Sequence, residues 1–183
     1  LAKRASRVDG EHFLSQLRSL LPKDAAAELL SAIEGAVLSL ERAESTQAFA
    51  ASLHLGRGVT GYVNHTVPVA IHAWLRNQGD LRRGIVDVIR CGGDTDTTGA
   101  IVGGIIGSSV GKPGIPAEWL EGLADWPRTV RWMEELGDHV ARAMSLGRPG
   151  RPPRLPPLGL LARNAFFLAV VLRHGFRRGF PPY

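Results

Sequence analysis

Residues 92–110 read GGDTDTTGAIVGGIIGSSV, an acidic turn between glycines followed by a stretch with glycine at 99, 103 and 107. Steps of four put those glycines on one side of a helix. Glycine costs roughly 1 kcal/mol against alanine in a helix interior, so a helix that uses it repeatedly needs a reason. The usual one is close backbone approach by neighbouring helices. The pattern predicts a helix over 97–110 that sits in the middle of the protein.

The flanking chain is helical in period. Phe13, Leu14, Leu17, Leu20 and Leu21 recur at helical spacing over 9–21, before Pro22. Asp24 is placed to cap a second helix reaching about Arg42, with Leu29, Ile33, Val37 and Leu40 as its stripe. Ser45 or Thr46 opens a short third helix ending near His54, and Gly56, Gly58 and Gly61 then mark a loop. Thr66 is expected to cap a helix to about Arg76 that carries Pro68 in its first turn. Asp80 caps the next, to about Arg90, with Leu81, Ile85, Val88 and Ile89 facing inward. Ile115-Pro116 starts a short helix through Leu123, and Pro127 another to about Met144. Strand-type alternation is nearly absent, and the class is all-α.

Charge divides the chain in two. The 183 residues carry a formal +5, yet residues 147–183 hold seven arginines and no Asp or Glu, so the rest sums to +5 − 7 = −2. The folded part, residues 1–146, therefore has no nucleic-acid footprint. Residues 147–183 form a Pro/Arg-rich linker and then an apolar segment, Leu158 to Leu172, that is too short for a membrane span. That segment is expected to dock on the helical body or on another subunit; the alternative is a helix on a membrane surface, its arginines at the headgroups. A single cysteine, Cys91, excludes a disulfide framework or a Cys-rich zinc cluster, and it fits a reducing, cytoplasmic setting. The Leu1-Ala2-Lys3-Arg4 start lacks the apolar core of a signal peptide.

Asp94, Asp96 and Thr97 pack three hard oxygen donors into four positions. Alternate residues of an extended turn share a face, so both carboxylates can address one centre, and Gly92 and Gly93 permit the close approach an ion requires. Carboxylate and hydroxyl donors suit Mg²⁺, Ca²⁺ or Mn²⁺ over zinc or copper. The competing explanation is that one aspartate merely caps the helix that follows; a cap needs only one. An EF-hand fails because Ile105 stands at the twelfth position, and a P-loop fails because Ile106 replaces its first glycine and Pro113 its Ser or Thr.

The run 92–104, followed by Gly111, Ile115-Pro116, Trp119 and Leu120, resembles the C-terminal signature of the ADP-ribosylglycohydrolase family. Gly61-Tyr62-Val63, His65-Thr66 and the helix through Trp74-Leu75 resemble the segment that precedes it there, and the likeness covers roughly residues 45–145. The resemblance implies a compact orthogonal all-helical domain with two Mg²⁺ ions (or Mn²⁺) in a cleft. It also implies hydrolysis of the bond between the anomeric carbon of ADP-ribose and a protein side chain or small acceptor. By position, Asp94 and Asp96 are the catalytic metal ligands, with Asp96 able to bridge both ions and Thr97 adding its hydroxyl. Gly61, Tyr62, His65 and Gly93 fall where substrate is contacted.

The departure from the family is in its other half. That half brings a Thr/Ser-Asp-Asp triplet and an acidic residue near the scissile bond, and no Asp-Asp pair occurs in this chain. Residues 1–146 are thus expected to be the C-terminal part of the family domain, truncated at the N-terminus and inactive alone. A non-catalytic helical relative with a binding or structural role is the alternative. His72 is expected to be a packed core residue, Cys91 a small buried one without nucleophilic work, and Trp119, Trp126 and Trp132 core or interface residues.

Overall fold

The computed structural model describes residues 7–22 and 24–179; the Leu1–Arg4 start lies outside them. Among the described residues there are nine α-helices and one 3₁₀ turn, and no strand beyond an isolated parallel bridge between Val59 and Gly93. The chain forms two compact units, Leu1–Pro116 and Ala117–Tyr183.

The first unit holds α1 (Gly10–Leu20), α2 (Ala27–Glu41), α3 (Thr46–Ser52), α4 (Val63–Arg76), α5 (Leu81–Cys91) and α6 (Thr95–Val110). Side-chain caps start four of them as the residue types demand: Asp9 accepts from His12 N, Ser45 from Ala48 N, Asp80 from Arg83 N and Asp94 from Thr97 N. Two starts differ from the sequence expectation. Asp24 does not cap α2, which begins after a turn with Ala26 at its N-cap and no side-chain bond. Thr66 is not a cap either; α4 starts three residues earlier, and the buried Thr66 hydroxyl donates to Thr60 O at 2.7 Å.

The centre of the unit is α4, not α6. Every residue from Pro68 to Ala73 is buried, so α4 is enclosed all round, as a central helix must be. Ile71 and Leu75 meet Leu14, Ile33 and Val37 from α1 and α2, and Trp74 receives Phe13 edge-on at 5.1 Å. Each such side chain removed from water contributes on the order of 2 kcal/mol. By contrast α6 buries one stripe, Thr98, Val102 and Ile106, against α5 and α4.

The α6 glycines do not make the close approach that their spacing predicts. A Cβ on Gly99, Gly104 or Gly107 would meet nothing within 4 Å, and on Gly103 only an ordinary contact with Ile85. The close approach is made instead by Gly84 of α5, where a Cβ would fall 2.4 Å from Ile106 Cδ1 and 3.2 Å from Val102 Cγ1. Also unlike expectation, Ile89 faces out at 52% exposure.

The second unit holds α7 (Ala117–Gly122), α8 (Val130–Leu146) and α9 (Pro157–Gly179). Trp126 is exposed, so it is not a core residue. Trp132 is half-buried, with an indole N–H that has no partner among the described residues.

Candidate metal and substrate site

Two adjacent glycines turn the chain from α5 into α6. Gly92 (φ +70°) and Gly93 (φ +77°) both occupy the left-handed region that other residues enter at a cost. The turn lays residue 93 alongside the 58–62 loop. Val59 N donates to Gly92 O at 3.1 Å, and Asp94 N donates to Val59 O at 2.7 Å. The two backbones are so close that a Cβ on Gly93 would stand 2.1 Å from Val59 O.

This bridge fixes Asp94 from both sides. Its backbone N–H is held by Val59, and its Oδ1 accepts from Thr97 N at 3.3 Å as the N-cap of α6. The cap expected of one aspartate is therefore formed. It engages one carboxylate oxygen; the other, Oδ2, faces the 58–62 loop, 3.0 Å from where a Gly61 Cβ would be. A side chain at position 61 would crowd that oxygen, so glycine keeps it open.

The Asp94 carboxyl lies below its ordinary pKa, first through a hydrogen bond with the Asp96 carboxyl and next through the Thr97 hydroxyl. Asp96 and Thr97 are exposed, and Asp94 is partly so. Two carboxylates, one with an oxygen that Gly61 leaves clear, and a hydroxyl fit a hard cation that keeps several waters, as Mg²⁺ does with one or two protein carboxylates. Among the described residues no group of three or more His, Cys, Asp or Glu side chains is placed to hold a metal ion.

Gly61 leads directly into Tyr62 and the first turn of α4. Thr60 ties this corner together: its hydroxyl meets His65 Nδ1 at 2.8 Å and accepts from Tyr62 N at 3.3 Å. The rings of Tyr62 and His65 stand edge to face at 5.1 Å, and Tyr62 is half-exposed. The bridge thus brings Gly93, Asp94, Asp96, Thr97 and Gly61 together, with Tyr62 and His65 on the adjoining turn.

Two residues here have no signal in the sequence. Glu28, from the first turn of α2, accepts from the Tyr62 hydroxyl at 3.4 Å across 34 positions, and Thr60 is the hub of the loop. Neither sits in a recognisable spacing.

Of the residues set aside as structural, His72 is a core residue and Cys91 is half-buried. His72 is fully buried, stacked on Phe49 at 4.9 Å and joined to Thr46 Oγ1 at 3.1 Å, with its pKa lowered to about 4 by burial first and by Arg76 next. The Cys91 thiol donates to Asp87 O, and burial, then Asp87, pushes it up to about 11. A concavity of about 660 Å³ lined by Val8, Glu11, Leu75, Asn77 and Arg83 is separate from the Asp94 turn.

The family model of ADP-ribosylglycohydrolase matches residues 2–150. That span reaches well upstream of the segment the motifs alone suggested. No curated protein and no solved structure is similar enough to count as a match. With most of its length covered and an all-helical fold, the chain belongs to the ADP-ribosylglycohydrolase family.

Proposed function

We propose that this protein is a Mg²⁺-dependent hydrolase that cleaves the N- or O-glycosidic bond between ADP-ribose and a protein side chain or small acceptor, in the cytoplasm. The single observation that carries the proposal is the Val59–Gly93 bridge, which orients Asp94 before any ligand arrives. Preorganised groups of this kind need no rearrangement at the moment of reaction.

In this reading Asp94, Asp96 and Thr97 are the ligands this chain gives to a two-cation site, the rest of each shell coming from water, substrate oxygens and ligands it does not contribute. Divalent cations, Mg²⁺ or Mn²⁺, would supply attraction for the ribose hydroxyls and an orienting charge for water. Asp96, exposed beside Asp94, accepts a hydrogen bond from the attacking water and aims it at the anomeric carbon. Thr97 holds the Asp94 carboxylate in place through its N–H and hydroxyl. Gly93 and Gly61 keep the approach to Asp94 Oδ2 clear. Tyr62 presents a half-exposed ring that can flank the distal ribose or the pyrophosphate, steadied by His65 at its edge.

The test is ADP-ribose release by the full-length protein from peptides ADP-ribosylated on arginine or on serine, with Mg²⁺ and then with EDTA. Release in Mg²⁺ and its loss in EDTA are expected, with Asp96→Asn slowing it roughly a hundredfold or more, because cation-held charge supplies several kcal/mol. Full activity in Asp96→Asn would remove Asp96 from the site.

One observation favours a second reading, a non-catalytic relative kept for binding or structure: no three metal-ligating side chains cluster among the described residues. It predicts no heat on titrating ADP-ribose into the full-length protein with Mg²⁺ present.

A further inference from the structure

Helix α9 belongs to the second unit. This helix runs 23 residues, Pro157–Gly179, about 34 Å at the helical rise. Within the second unit it is fastened near its start. Gly159 lies against Trp126, where a Cβ would come within 2.9 Å of the indole, and Arg163 pairs with Asp125 at 2.8 Å. From Asn164 to Gly179 every residue is exposed, including Phe166 at 72% and Phe167 at 60%.

The exposed residues are sorted by side. At about 100° per residue, Leu158, Leu161, Leu168, Leu172 and Phe176 fall on one side of the helix. Arg163, Arg173, Arg177, Arg178 and His174 fall opposite, within roughly 140°. Phe166, Phe167 and Val170 intrude on the basic side, so the middle turns are apolar all round. The linker before α9 adds Arg148, Arg151 and Arg154, and no Asp or Glu occurs from 147 onward.

An occupant must cover a leucine stripe and at the same time neutralise arginines. A second copy of α9 would cover the stripe, but it would bring two uncompensated basic segments together. A nucleic acid would pair the arginines and leave the leucines and phenylalanines in water. Contrary to the sequence expectation, α9 is long and apolar enough to cross a membrane by length and composition, but its uncharged run between Arg163 and Arg173 is only nine residues, about 14 Å, less than half of a hydrocarbon core near 30 Å. The surface of an anionic bilayer meets both demands, with acyl chains for the stripe and phosphates for the guanidinium groups.

We propose that α9 lies on anionic membrane surfaces, with Leu158, Leu161, Leu168, Leu172 and Phe176 in the acyl boundary and Arg173, Arg177 and Arg178 at the lipid phosphates. The charge complementarity carries the choice of partner, and the tethering at Arg163–Asp125 leaves the distal turns free to dock. The inference is independent of the activity assigned to the Asp94 site.

Co-sedimentation of the full chain with vesicles tests it, using phosphatidylcholine alone or with a third replaced by phosphatidylglycerol, at low and at molar salt. Binding to the anionic vesicles is expected, at least about tenfold weaker to neutral ones and at high salt. The triple variant Arg173→Gln, Arg177→Gln, Arg178→Gln should bind roughly a hundredfold more weakly. Leu168→Asp with Leu172→Asp should abolish binding, and both variants should keep the circular dichroism of the parent because these side chains are exposed. Equal, salt-insensitive binding to neutral vesicles overturns the proposal. So does no binding to either vesicle, whether light scattering finds a monomer or a dimer that hands the stripe to a second copy.

Discussion

Replacing Gly93 by alanine separates the geometry of the metal turn from ordinary helix propensity. The new Cβ would stand 2.1 Å from Val59 O and 2.5 Å from Val59 N, both backbone atoms that cannot rotate aside. The residue must also keep φ near +77°, which costs an L side chain roughly 1–2 kcal/mol. Relieving the clash means parting the bridge and losing two backbone hydrogen bonds, Val59 N to Gly92 O and Asp94 N to Val59 O. These are worth about 1 kcal/mol each. The sum is about 3–4 kcal/mol. Gly92→Ala shares the backbone strain (φ +70°) but its Cβ would meet only Gly58 Cα at 3.9 Å, so it should cost about 1–2 kcal/mol. Gly104→Ala adds a methyl to open space inside α6 and should stabilise by up to about 1 kcal/mol. Urea unfolding of the three variants, followed by far-ultraviolet circular dichroism, measures the order directly. If Gly93→Ala costs no more than Gly92→Ala, the contact with Val59 does not hold the turn and the argument from preorganisation falls.

Other expectations follow from the same structure. His72 titrates near 4 when folded and near 6.5 when free, so the unfolded chain binds the extra proton between those values. Stability should be complete above about pH 6.5 and fall by about 3 kcal/mol as pH drops to 4, a dependence that His72→Phe flattens in denaturant titrations. Asp94→Ala removes the cap of α6 and should cost about 1 kcal/mol, whereas Asp94→Asn keeps the cap and should leave unfolding within a few tenths of a kcal/mol. Cation affinity should fall in both, which separates capping from ligation. With its thiol near 11, Cys91 should react with a disulfide reagent at neutral pH roughly a hundred times more slowly than an unperturbed cysteine.

The helices were legible in the sequence where a short polar side chain starts a periodic apolar stripe, as at Ser45 and Asp80. They were misjudged where such a residue does not cap, as at Asp24 and Thr66. The first turn of α4 is held by the Thr60 carbonyl, a bond that spans a loop and has no local pattern. The glycines of α6 misled because composition cannot say which partner needs the space: Gly84 on the facing helix supplies the close approach. The central position of α4 shows in its unbroken burial from Pro68 to Ala73, and a stripe count does not weigh that run against α6. At the site, the acidic turn was readable because its donors are adjacent. The meeting of Val59 with Gly93 and of Glu28 with Tyr62 depends on pairings 34 positions apart in each case, which only the fold supplies.

The proposed role of the 92–97 turn is to hold a divalent cation through Asp94 and Asp96. Mn²⁺ titration of the full-length protein, followed by electron paramagnetic resonance of the free ion, measures this without reference to turnover. Saturable Mn²⁺ binding that Mg²⁺ displaces, weakened at least about tenfold in Asp96→Asn and in Asp94→Asn, is the predicted result. Unchanged affinity in both variants would contradict it and leave Asp94 a helix cap and nothing more.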